Sequence, residues 1–119
     1  MVTATESRTH NGWKNYETWA TNLWLDNEEY SQRECERLAY DAYDEAEATS
    51  YATREEMAAS DLADRLKESV EEMMPELGAS LASDLLSAAL SEVDWYEIAG
   101  HYIRDLDKSD FDEDESEEG

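Results

Sequence analysis

Apolar residues along this chain recur every three or four positions, in five separate blocks. In the first, NYETWATNLWLDNEE, the residues Tyr16, Trp19, Ala20, Leu23 and Trp24 step at the spacing of one helix face. Asn15 is a good N-cap, and Asp26-Asn27 marks a stop or a sharp bend. Two tryptophans on one stripe make a large apolar anchor, since each aromatic buries roughly 150–250 Å². This helix, from Tyr16 to Asp26, is expected to be the one on which the others pack. A second helix, from Glu28 to Ala48, carries an imperfect stripe of Tyr30, Cys35, Leu38, Ala39, Ala42, Tyr43 and Ala46. Thr53 and Glu56 form a capping box that opens a third, from Arg54 to Met74, with Met57, Leu62, Leu66, Val70 and Met73 facing inward. Pro75 ends it, because the residue before proline is biased away from helix.

Ser80 caps a fourth helix through Leu90, with Leu81, Leu85, Leu86 and Ala89 as its face. Asp94 and Glu97 begin a fifth, to Leu106, whose apolar side is Trp95, Ile98, Ala99, Tyr102, Ile103 and Leu106. Gly100 within it costs about 1 kcal/mol against alanine, which close packing at that point would explain. No strand-like alternation and no repeat competes with this pattern. The expected fold is all-α: a compact bundle of four to five helices over residues 13–106. Residues 1–12 read as a flexible lead-in ending in the turn-prone pair Asn11-Gly12. The segment from Asp107 to Gly119, DKSDFDEDESEEG, reads as a disordered acidic tail.

Length and hydrophobic content, 119 residues and 40%, suit one domain with a modest core. Charge changes the picture more. There are 32 acidic against 9 basic residues, a formal net of -23. Such a chain is not expected to bind nucleic acid or an anionic membrane directly; it calls for a basic partner or a strongly screening solvent. No apolar run approaches the roughly 18 residues of a membrane span. Residues 1–12 lack the apolar core of a secretory signal. Cys35 is the single cysteine, which excludes an internal disulfide and suits a reducing cytoplasm.

The charge is concentrated. Residues 1–27 carry net -1, 28–74 net -10, 75–106 net -5 and the tail net -7. Over Glu28 to Glu47 there are eight acids and two bases along a helix about 30 Å long, where a DNA duplex has roughly 18 phosphates. One helix thus supplies about a third of the axial charge density of DNA. Two or three such helices side by side, or a homodimer, would approach it.

Catalytic and metal chemistry finds little support. Glu97 and His101 lie four apart on one helix, an ion pair rather than half a metal site. Neither a serine nor Cys35 has a recognisable activating partner, so no enzyme and no cofactor is expected. Asp110, Asp112, Asp114 and Glu117 suggest a calcium loop, but the glycine and the final glutamate that such a loop requires are missing. Trp13, Trp19, Trp24 and Trp95 are assigned to the core, with exposure of one as a binding anchor the alternative.

NYETWATNLWLDN and the stretch ending in VDWYEIAGH resemble a family of small uncharacterised proteins from phages, plasmids and archaeal or bacterial mobile elements, over roughly residues 12–106. In size, helicity and acidity the chain also resembles phage DNA-mimic antirestriction proteins of the Ocr type, by composition alone.

The functional expectation is a DNA-mimic inhibitor acting in the host cytoplasm. Its acidic helices would occupy the groove of a basic, DNA-binding host defence protein such as a restriction complex or CRISPR effector. The residues expected to do this are Glu28, Glu29, Glu34, Glu36, Asp41, Asp44, Glu45 and Glu47, with Glu55, Glu56, Asp61, Asp64, Glu68, Glu71 and Glu72. The competing expectations are a helical adaptor whose acidity is salt adaptation, and an acidic antitoxin or chaperone for a basic protein. Lysines are only Lys14, Lys67 and Lys108, as salt adaptation favours. At molar salt the Debye length falls to about 3 Å, and only close contacts between charges survive.

Overall fold

The computed structural model describes residues 9–74, 78, 80–109 and 111. Their regular elements are five α-helices: α1 Tyr16–Asn27, α2 Glu29–Glu45, α3 Arg54–Met73, α4 Leu81–Ser91 and α5 Trp95–Asp105. Most of the expected caps are present. Asn15 accepts from the Thr18 amide at the start of α1, and Ser80 accepts from the Ser83 amide at the start of α4. The Thr53–Glu56 capping box is complete in both directions, and Met74 leaves helical geometry just before Pro75. Glu28 alone separates α1 from α2; its extended backbone (φ -96°, ψ 125°) makes the bend one residue after Asp26-Asn27.

The centre of the bundle is α3, not α1. Its most extensive contact is with α5, followed by α2. The reason lies in residue size. Ala39 and Ala42 of α2, Ala58, Ala59 and Ala63 of α3, and Ala99 of α5 are all buried. These small side chains let the helix backbones approach, and Leu62, Leu66, Ile98 and Ile103 fill the remaining space.

On α1 the buried residues are Thr18 and Leu25, seven apart on one face. The apolar stripe faces elsewhere: Trp24 is 73% exposed and Tyr16 57%, and Leu23 is exposed as well. The expectation that Trp24 belongs to the core is corrected here, while Trp95 is buried and Trp13 packs partly against the core. Apolar residues surround α1 on several sides, so polar bonds decide its rotation. The Thr18 hydroxyl donates to Asn15 Oδ1 at 2.6 Å and accepts the Asp94 amide at 2.8 Å. Asn15 Nδ2 donates to the Glu92 carbonyl at 2.7 Å. Turning Trp24 inward would break these bonds.

Further corrections follow from the same packing. Tyr30, Met57 and Met73, expected inside, are exposed. So are Leu81 and Leu85, and α4 buries no residue. Gly100 is not explained by close packing, because a Cβ there would meet nothing within 4 Å. Glu97 and His101 do not face each other as an ion pair. Glu97 Oε1 accepts the Lys14 amide at 3.0 Å. His101 instead lies against Trp13, ring centroids 4.2 Å apart, with its Nδ1 2.9 Å from Arg104 Nη2.

Order begins before Trp13. His10 and Trp13 exchange backbone hydrogen bonds of 2.9 and 2.8 Å. Asn11 (φ 49°) and Gly12 (φ 87°) hold the left-handed geometry that an Asn-Gly hairpin turn requires. The His10 ring then packs on Trp19, centroids 4.4 Å apart. The rest of the expected lead-in, residues 1–8, lies outside the described residues. At the other end, Phe111 is buried against Tyr43 and Tyr40, with the Arg54 guanidinium 5.0 Å above its ring. The folded body therefore reaches past Leu106, through Phe111 and through Lys108, whose Nζ donates to the Ile103 carbonyl at 2.6 Å. The remainder of the expected tail, residues 110 and 112–119, lies outside the described residues.

Candidate functional site

Two surfaces stand out, one charged and one apolar. The charged surface is built by helical spacing. On α2, Glu34, Arg37, Asp41 and Glu45 follow the i, i+3, i+7, i+11 pattern of one stripe, and on α3 Asp61, Arg65, Glu68 and Glu72 follow the pattern i, i+4, i+7, i+11. The chain reverses between the two helices, so the stripes run side by side. Arg65 joins them at one end, holding Glu45 at 2.7 Å and Asp61 at 2.9 Å. At the other end Glu34 and Glu72 line one shallow cleft. Within α2, Arg37 holds Glu34 at 2.6 Å and Asp41 at 3.2 Å.

Each stripe thus has an arginine between its carboxylates. Glu34, through its hydrogen bond and its charge, raises the pKa of Arg37 above the ordinary guanidinium value. Partial burial opposes the charge on Arg65, but Asp61 and Glu45 outweigh it, and its pKa is raised too. The pairs order the carboxylates without cancelling them. Six acids and two arginines leave a net of about -4 over roughly 16 Å, a length in which one DNA strand carries about five phosphates.

Six of the fifteen expected acidic residues are therefore brought together: Glu34, Asp41, Glu45, Asp61, Glu68 and Glu72. The other nine are not. Glu29 pairs with Arg33 at 3.0 Å. Glu36 faces a separate cleft shared with Asp26, Asp105 and Asp107. Glu56 is occupied by the capping box, and Glu28 lies against α1. Asp44, Glu47, Glu55, Asp64 and Glu71 are exposed elsewhere on the loop and helices.

The second surface entered the sequence reading only as the alternative that one tryptophan is exposed as a binding anchor, and Trp24 is that residue. The exposed side of α1, the end of α3 and the inner side of α4 enclose an open groove of about 490 Å³. Its floor and walls include Tyr16, Ala20, Trp24, Met73, Leu86 and Leu90. The carboxylates on its lining are Glu17 and Glu28. The groove touches the acidic stripes at Ser31 and Met73, which also line the cleft of Glu34 and Glu72. The signal that could have found it was present: the first and fourth helices are rich in large apolar residues and poor in charge, with Asp84 the single charge on α4.

Cys35 is buried beneath this region. Burial pushes its thiol up to about 11, although a hydrogen bond with Tyr102 works in the opposite direction. Burial also raises the Tyr102 phenol, and the neighbouring Cys35 and Asp26 add to the effect; its hydroxyl donates to Asp26 Oδ1 at 3.3 Å. A protonated thiol is a poor nucleophile. Among the described residues, no group of three or more His, Cys, Asp or Glu side chains is arranged to hold a metal ion. No described helix is long and apolar enough to cross a membrane.

No curated protein and no solved structure matches the chain. A model of the family of unknown function DUF7249 matches residues 6–115, which span all five helices, both surfaces and the Cys35 cluster, and the chain belongs to that family.

Proposed function

We propose that this protein is a non-catalytic inhibitor that competes with DNA for the basic groove of a host defence protein. The observation that carries the reading is the double stripe on α2 and α3, whose net charge per length is close to that of one DNA strand. Arg37 and Arg65 hold four of the six carboxylates, Glu34, Asp41, Glu45 and Asp61, which lowers the entropy lost on docking. Long-range attraction between a chain of net -23 and a basic groove would speed association. In this reading the protein acts in the cytoplasm of a host cell, and the source of its gene is a phage or another mobile element.

The test compares two triple variants of equal charge. Replacing Glu34, Asp41 and Glu45 by their amides should weaken inhibition of a DNA-dependent restriction or CRISPR nuclease about tenfold or more, about 1.4 kcal/mol. Amide replacement of Asp44, Asp64 and Glu71, which lie outside the stripes, should weaken it less than about threefold. Equal effects from the two variants would discard the reading.

Salt adaptation is the second reading, favoured by the acidic residues that lie outside the double stripe, among them the nine expected site residues that it does not gather, and by the scarcity of lysine. It expects both triple variants to relax a salt requirement for folding to the same degree, with no DNA-binding enzyme affected.

A further inference from the structure

The groove between α1, the end of α3 and α4 leaves large apolar side chains in water beside the acidic stripes of α2 and α3. Trp24 and Tyr16 lie along one wall, and Met73 is 54% exposed at its end. Burial elsewhere in the bundle does not require this arrangement, since α4 contributes no buried residue to the core. Contiguous apolar surface of this kind marks a binding face.

Charge on the groove selects its occupant. Glu17, in the first turn of α1, and Glu28, just past its last residue, both line the groove, and the length of the helix between them sets them about 16 Å apart along it. That is the length of three helical turns. A second copy of this chain would bring a further -23 toward those two glutamates, whereas a cationic segment is attracted by them and by the acidic stripes that begin at Met73. An apolar face is needed as well, to cover Trp24, Leu86 and Leu90. Met73 and Met74, both on the lining, are flexible and polarizable and adapt to side chains of different shape.

We infer that the groove binds a basic amphipathic α-helix of a partner protein. The helix has an apolar stripe that enters between Trp24 and Leu86, and lysine or arginine about eleven residues apart that reaches Glu17 and Glu28. This goes beyond competition with DNA: it uses apolar surface that a DNA mimic does not need, and it stands or falls separately from that reading.

The probe is a designed peptide of about 14 residues, roughly four turns, made of leucine at helical spacing with lysine elsewhere. It is titrated calorimetrically against the full chain, beside a peptide of the same composition in scrambled order and an amphipathic leucine–glutamate peptide. The leucine–lysine helix should bind, with the scrambled peptide weaker by about tenfold or more and the glutamate peptide not binding. Trp24→Ala and Met73→Ala, whose side chains are exposed and whose fold is checked by circular dichroism, should each weaken binding by about tenfold. The E34Q/D41N/E45Q variant should weaken it by less than about threefold, mainly in association.

Three results would overturn the inference. Equal binding of the scrambled peptide would reduce the interaction to net charge. Loss of binding in the triple amide variant with none in Trp24→Ala would place the peptide on the acidic stripes. A dimer seen in sedimentation of the chain alone, and dissolved by Trp24→Ala, would assign the groove to a second copy.

Discussion

The Thr18 side chain of α1 accepts the backbone N–H of Asp94, the N-cap of α5, at 2.8 Å. The two helix starts, 76 residues apart in sequence, are thereby joined through one fully buried hydroxyl. The bond also explains why Asp94 and Glu97, spaced as a capping box, make only one of its two bonds. Asp94 Oδ1 accepts the Glu97 amide at 3.0 Å, but the Asp94 amide is already given to Thr18, and Glu97 Oε1 accepts the Lys14 amide instead.

Thr18→Val keeps the shape of this side chain and removes the hydroxyl, leaving the partly buried Asp94 amide without its partner. Stability should fall by about 1–3 kcal/mol in urea unfolding. Thr18→Ser keeps the bond and should cost less. Equal losses from the two would mean that packing, and not the hydrogen bond, is what Thr18 supplies.

Gly100 lies in the interior of α5 with ordinary helical backbone and open space where a Cβ would stand. Gly100→Ala should therefore raise stability by about 0.5–1 kcal/mol, through helix propensity and a less flexible unfolded chain. A thermal melt that moves downward would reveal a contact at this position that the fold does not show.

Phe111 packs between Tyr43 and Tyr40 beneath Arg54. Phe111→Ala should destabilise the bundle by roughly 3 kcal/mol. A chain ending at residue 106 should lose about as much, whereas one ending at 111 should keep its stability. If removal after 106 is neutral in chemical denaturation, this packing contributes nothing.

The Cys35 thiol is held near 11 in the folded chain against 9.0 for an unhindered one. The folded state thus favours the protonated form. Its contribution is fully present below pH 9 and is lost as pH rises toward 11, because the unfolded chain ionises first. Unfolding free energy should decline over that window, and Cys35→Ala should flatten the decline. At pH 8 the native thiol should react with iodoacetamide about 100-fold more slowly than the same thiol in denaturant. Comparable rates would mean that the thiol is open to solvent.

The type of the helices and most of their limits are local properties, and the sequence by itself determined them; the exception is α2, expected to run to Ala48, which ends at Glu45 where Ala46 turns extended. Asn15, Thr53, Ser80 and Asp94 each satisfy an amide of the turn that follows, so capping positions are readable without knowledge of the fold. The double stripe was legible in half. Spacing places Glu34, Asp41 and Glu45 on one face of α2, but only the antiparallel packing against α3 puts Glu45 opposite Asp61 and lets Arg65 bridge them. The direction in which α1 faces was decided entirely in three dimensions. Its apolar residues surround the helix too widely for periodicity to choose a side, and Trp24 is the natural but incorrect choice for the core. What turns Thr18 and Leu25 inward is the bond from Asp94 and the close approach that Ala39, Ala42, Ala58 and Ala59 allow among the neighbouring helices. Both couple residues far apart in the chain, and a pattern of period 3.6 within one helix carries no trace of either. The apolar groove exists for the same reason: packing of small residues completed the core elsewhere and left Tyr16, Trp24 and Met73 in water.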